Sequence, residues 1–144
     1  MKKKFLYKLF IIIILFNTGS ACKKDKDKNN STETYVDFYI DLNSAQFTGI
    51  NHIGGWCYVT GGKNGILIYR ISDSEFNAYS RTCTLKSDSC QRIEVDKSAL
   101  YAQDSSCKSK FLILDGSPDP NSAAKTALYR YHTAYDGRFL RVYN

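Results

Sequence analysis

Tyr35-Val36-Asp37-Phe38-Tyr39-Ile40-Asp41-Leu42 is the stretch that decides the class of fold. Val36, Phe38, Ile40 and Leu42 fall on one side of an extended chain, because successive side chains of a strand point to opposite faces. Tyr35, Asp37, Tyr39 and Asp41 fall on the other, so the stretch reads as a half-buried antiparallel strand. Downstream, Trp56-Cys57-Tyr58-Val59-Thr60 and Ile66-Leu67-Ile68-Tyr69-Arg70-Ile71 flank the glycine-rich run Gly61-Gly62-Lys63-Asn64-Gly65 and read as a hairpin. The second of these strands is apolar on both faces and belongs inside a sheet. Ser72-Asp73-Ser74-Glu75 has the spacing of a capping box and predicts one helical turn before Phe76. Short β-rich pieces follow at Ile93-Glu94-Val95, Leu100-Tyr101 and Phe111 to Leu114, with turn residues between them. The chain closes with Leu128 to Tyr135, the turn Asp136-Gly137, and Arg138 to Tyr143. Asp-Gly between β-rich runs is a strong hairpin signal, on the reading that both central residues take positive φ. After Cys22 there is no helix-period stretch of ten or more residues and no internal repeat. The expected fold class is therefore all-β, an antiparallel sandwich of short strands. Residues 35–144 make one domain with one modest core.

The first residues predict export. Met1-Lys2-Lys3-Lys4 is basic, Phe5 to Phe16 is mostly apolar, and Gly19-Ser20-Ala21 is small ahead of Cys22. The apolar run is shorter than the ~20 residues of a spanning helix, so 1–21 reads as a signal peptide removed on maturation. A cysteine directly after the small residues is the bacterial lipoprotein pattern, in which Cys22 carries the lipid; Gly19 stands where leucine is commonest. Residues 22–34, with Lys23-Lys24-Asp25-Lys26-Asp27-Lys28 and no apolar residue among 23–32, read as the lipidated cysteine and a charged tether. This predicts a cell-envelope protein held to its membrane through Cys22, facing the periplasm or the outer surface.

The net charge of +6 invites a nucleic-acid reading that the distribution of charge removes. Residues 1–21 carry four lysines and no acid, which leaves 16 basic against 14 acidic residues in the mature chain. A balance near +2 gives no electrostatic footprint for a phosphate backbone, and no nucleic-acid partner is expected.

Apart from Cys22 the cysteines are Cys57, Cys83, Cys90 and Cys107. An even number in an exported domain favours disulfides, and four cysteines allow three connectivities that the residues alone leave open. Cys83-Thr84-Leu85 and Cys107-Lys108-Ser109-Lys110, the latter running into Phe111-Leu112-Ile113-Leu114-Asp115-Gly116-Ser117-Pro118, resemble the two loops of Rieske-type iron–sulfur domains. The similarity spans roughly Gly54 to Asn144 and is nearest to degenerate Rieske-like lipoproteins of Bacteroidetes-type bacteria. In that family C-x-H and C-x-x-H give two thiolates to one iron and two imidazoles to the other. Here Leu85 and Lys110 stand in the histidine positions, Ser109 replaces a third loop cysteine, and Cys90 lies later than the family's usual disulfide cysteine.

The resemblance implies a redox fold whose site has been dismantled. It also implies a pairing, because two thiolates that share an iron stand close enough to join once the metal is gone. Cys83–Cys107 is the implied disulfide, and Cys57–Cys90 is what it leaves. Cys83 and Cys107 would be metal ligands only if a residual 2Fe-2S cluster survived, and no cofactor is favoured.

Other chemistry finds little footing. Leu85 offers no donor and the Lys110 amine is protonated near neutral pH. His52, before Gly54-Gly55, and His132, in the penultimate strand, lie outside both loops. There is no G-x-S-x-G elbow, neither histidine stands in a catalytic motif, and Asp115 beside Gly116 reads as a turn former. Tyr129, Tyr131, Tyr135 and Tyr143 could line a face for glycan or protein, although packing and cross-strand pairing are the commoner use of such residues. The sequence thus predicts a non-enzymatic envelope lipoprotein with a structural or binding role. Its competitor is Rieske-type electron transfer through a retained or altered cluster.

Overall fold

A computed structural model of the chain describes residues 33–144. The expected signal peptide, the expected lipid site at Cys22 and the expected tether as far as residue 32 lie outside the described residues. Glu33 and Thr34, assigned by sequence to the tether, already touch the domain: Tyr131 donates to Glu33 Oε2 (3.1 Å) and Asn144 Nδ2 to the Thr34 carbonyl (3.2 Å).

Among the described residues, nine strands account for nearly all the regular structure. They are β1 (Asp37–Asp41), β2 (Trp56–Val59), β3 (Ile66–Arg70), β4 (Phe76–Ser80), β5 (Ile93–Val95), β6 (Tyr101–Asp104), β7 (Lys110–Leu112), β8 (Arg130–Tyr135) and β9 (Phe139–Tyr143). Every pairing is antiparallel. One sheet has six strands in the order β1-β9-β8-β4-β3-β2, and a smaller one has the order β5-β6-β7. The small sheet is thus an insertion between β4 and β8, two neighbours in the large one. The all-β antiparallel class expected from the alternation of β1 is the class observed.

Burial explains the layering. Ile66 and Ile68 of β3, Phe76 and Ala78 of β4, and Ile40, Leu140 and Val142 from the other end of the large sheet meet in one core, so the sheet curls around it. Phe47 and Ile50, from a short 3-10 helix at Ala45–Ile50, close this core. Leu67 and Tyr79 point to the opposite face and form a second core with Ile93, Ala102 and Phe111 of the small sheet, so the single core expected from the length of the chain is instead two, one on each face of β3 and β4. β3 and β4 are therefore buried on both faces, as the unbroken apolar run of β3 requires. At the far edge, Arg141 forks onto Asp37 (2.8 and 2.7 Å) and Arg138 onto Asp41, fastening β1 to β9. Each arginine holds its carboxylate below the ordinary pKa, chiefly through those hydrogen bonds.

Two local expectations are corrected. Ser72-Asp73-Ser74-Glu75 makes the contacts of a capping box, with the Glu75 amide donating to Ser72 Oγ (3.1 Å), but no helix follows. The amides of Ile71 and Ser72 both donate to the Glu75 carbonyl, which closes a tight turn that feeds β4 directly. At the last hairpin only Gly137 has positive φ (101°). Asp136 is a strand-end residue whose carboxylate accepts the amides of Arg138 (2.9 Å) and Phe139 (2.6 Å). Gly137 then holds the first central position, where a type II′ turn places glycine.

Cys57 on β2 packs against the first core and is a free thiol. Burial pushes its pKa from 9.0 to about 11. A thiol that ionises less readily folded than unfolded contributes stability that is complete below pH 9.0 and is lost as pH rises toward about 11. The melting temperature is accordingly expected to fall across that interval, and Cys57→Ala to reduce the fall. The buried ring of Tyr79, raised to about 12, adds its own loss from pH 10 upward, so equal slopes in wild type and variant would assign the effect to tyrosine alone.

Candidate functional site

The small sheet carries the two cysteine loops. Cys83 follows β4 in the connection to β5, and Cys107 lies in the turn between β6 and β7. The first loop is folded back on itself by the bridge Thr82↔Arg92. Its root is fixed by Arg81, whose side chain is almost wholly buried and whose Nε donates to the Ile93 carbonyl (3.0 Å). The same guanidinium lies 3.6 Å from the centre of the Tyr58 ring, a cation–π contact across the junction of the sheets. Burial lowers the Arg81 pKa.

The second loop is organised around Asp104, which is fully buried. Its Oδ1 accepts the amides of Ser106 (2.8 Å) and Cys107 (3.3 Å), and its Oδ2 accepts the amide of Gln91 (2.7 Å) from the first loop. A buried carboxylate is costly unless hydrogen-bonded, and these three amides offset that cost while holding the loops side by side. Lys108 takes the left-handed conformation (φ 60°) that turns the chain back into β7. Ser109, also fully buried, lies 3.3 Å through Oγ from Cys107 Sγ. Neither Asp104 nor the positive-φ lysine was singled out from sequence. An aspartate at the end of a short strand, before Ser105-Ser106, looks like any turn former.

The disulfide differs from the one implied by resemblance. Cys107 is joined to Cys90, so neither Cys83–Cys107 nor Cys57–Cys90 is the observed pair, and Cys57 and Cys83 are free. The Gln91–Asp104 bond draws the chain beside Cys90 to the root of the Cys107 loop, and the Cα atoms of the two cysteines are 5.1 Å apart. Cys57, turned into the first core, is held away from Cys90, which packs against the second. Cys83 is nearly buried and its Sγ stands 3.7 Å from Cys107 Sγ, so the closeness of those two sulfurs is present without the bond.

The residues standing in for histidine have other engagements. Leu85 packs against the second core. Lys110 Nζ lies 3.9 Å above the Tyr101 ring and 3.9 Å from Asp96 Oδ2. The donor set therefore does not fit a mixed-ligand two-iron centre: one position has no donor atom and the other is an ammonium held in a cation–π and ionic contact.

His52 is exposed beyond the 3-10 helix, and His132 is exposed on β8 against Tyr143 (ring centres 5.3 Å apart). Asp115 caps its turn, accepting the amide (2.9 Å) and hydroxyl (2.7 Å) of Ser117, which together lower its pKa. Among the hairpin tyrosines, Tyr131 is buried, Tyr129 stacks edge-on against it, and Tyr135 packs on Phe76. Tyr143 alone lies on the outer face, 4.6 Å from the Arg141 guanidinium. Packing is thus the principal use of these rings.

No protein-family model matches the chain, and no curated protein is found to be similar to it.

Proposed function

We propose that this chain is a lipid-anchored protein of a bacterial envelope, with a Rieske-like domain that serves a structural or binding role instead of electron transfer. The observation that carries the reading is the occupation of the ligand positions. Leu85 is committed to the core, Lys110 to Tyr101 and Asp96, and Cys107 to a bond with Cys90. The Rieske-like part draws support from the arrangement of the two cysteine loops, which leave a three-stranded sheet inserted between β4 and β8 and converge on one another. A binding role draws support from the outer face of β1 and β9, where Tyr39 (63% exposed) and Phe139 (37%) stand among the paired Arg138 and Arg141.

The test is reconstitution. Reduced protein given ferrous iron and sulfide without oxygen is expected to incorporate no acid-labile sulfide. It should also show no low-temperature spin signal of a reduced two-iron centre, since the outer iron has no imidazole. A stoichiometric two-iron, two-sulfide cluster in the unmodified chain would overturn the reading and put electron transfer in its place.

A further inference from the structure

Three sulfurs and one buried carboxylate meet at the junction of the cysteine loops. The ligand atoms of Cys83, Cys90, Asp104 and Cys107 all lie within 4.8 Å of one another. Two kinds of chemistry could use a free thiol beside a disulfide. Thiol–disulfide exchange needs the attacking sulfur roughly in line with the bond it breaks. With Cys83 Sγ at 3.7 Å from Cys107 Sγ and a bond of about 2 Å beyond it, that alignment would put Cys83 and Cys90 nearly 6 Å apart. They are closer than that, so the group is a compact cluster and not a row.

A compact cluster is what a tetrahedral ion requires. Zinc–thiolate bonds of about 2.3 Å place two sulfurs of one tetrahedron about 3.8 Å apart. Cys83 and Cys107 already stand at 3.7 Å. Asp104 Oδ2 accepts one amide and retains a lone pair, and the fully buried carboxylate is held in place by its amide donors beside the three sulfurs. The half-buried Cys90 and the exposed segment 86–89 lie on the solvent side, where an ion would enter.

We propose that Cys83, Cys90, Cys107 and Asp104 form a mononuclear S3O site for a zinc-type divalent cation, closed while Cys90–Cys107 is oxidised and opened by its reduction. Opening takes two electrons and two protons from thiol reductant, which leaves as its own disulfide, and converts Cys90–Cys107 into two thiols. Binding then exchanges the three thiol protons for three sulfur–metal bonds, with the Asp104 carboxylate as fourth ligand. The site differs from a Rieske centre in its ligands, its nuclearity and its need for no histidine or sulfide. It is independent of the anchoring and binding role proposed above.

Cobalt(II) is the probe, because thiolate ligation gives it a charge-transfer absorption. The mature chain is reduced anaerobically with a monothiol, freed of reductant and titrated with cobalt. One ion per chain is expected, with the thiolate band and displacement by zinc, whereas the oxidised chain should bind at least about tenfold more weakly for want of two thiolates. Cys83→Ser leaves the disulfide untouched and should weaken binding to the reduced chain by about tenfold or more. Cys57→Ser, with its thiol in the other core, should bind like wild type. The proposal is overturned if the reduced chain keeps its strand circular dichroism yet shows no thiolate band, or if it loses that spectrum and cobalt does not restore it. It is equally overturned if Cys83→Ser binds as tightly as Cys57→Ser, or if the oxidised chain binds as tightly as the reduced one.

Discussion

Cys22→Ala is expected to move this protein from the membrane fraction to the soluble fraction, or to leave it unprocessed with its leader attached. The junction Gly19-Ser20-Ala21-Cys22 stands behind a short apolar run, the pattern that motivates the proposed anchor. Each buried methylene of an acyl chain contributes about 0.8 kcal/mol of membrane affinity, and a single chain holds only reversibly. Two or three chains on one residue, as proposed for Cys22, would therefore anchor the molecule, and loss of the sulfur proposed to carry them would remove most of that affinity at once. The sequence behind Cys22 offers no replacement, because Lys23 to Thr32 contains no apolar residue to insert. Fractionation with mass analysis of the N-terminal peptide measures the effect. A variant that partitions and migrates like wild type would rule out the lipid anchor.

The second large effect concerns the covalent closure of the site. Cys90 and Cys107 are separated by 17 residues along the chain. Closing a loop of that length removes about 3 kcal/mol worth of unfolded-state freedom in the chain-entropy model. For a domain of this size such a loss lowers the melting temperature by roughly 10 °C or more. Cys107→Ser and Cys90→Ser should each show it, and reductant should lower wild type similarly while leaving the variants nearly unmoved. Cys83→Ser separates the observed pairing from the one implied by resemblance. If Cys83 were the partner of Cys107, its loss would cost as much as that of Cys107. With Cys90 as the partner, Cys83→Ser should cost far less, and non-reducing peptide mapping should still find Cys90 joined to Cys107.

Much of the fold could be read locally. The alternation from Tyr35 to Leu42, the glycine-rich hairpin before Ile66 and the β-rich run Ile93-Glu94-Val95 each reappear as strands at nearly the expected residues. A strand at Phe76-Asn77-Ala78-Tyr79-Ser80 was implied by the resemblance and not by periodicity, because the stretch is buried on both faces and shows no period of two. The capping-box spacing before it points to a helical turn, but pairing with β3 and β8 keeps the chain extended. The 3-10 helix at Ala45–Ile50 is too short for a helical period to register, and its Phe47 and Ile50 are recruited by the first core.

The all-β class, the double-sided burial of β3, and two loops carrying Cys83 and Cys107 without histidine partners could all be read along the chain. Each of these rests on neighbours along the chain, where the period of two and the spacing of a motif operate. Which cysteines join, and what surrounds them, follows from the packed fold. Asp104 gathers amides from both loops, and the Gln91 contact carries the neighbouring Cys90, not Cys83, into bonding reach of Cys107. A disulfide and a four-ligand cluster depend on distances between chain segments remote in sequence, and those distances are set by how the small sheet packs on β3 and β4 through Leu67, Tyr79 and Phe111.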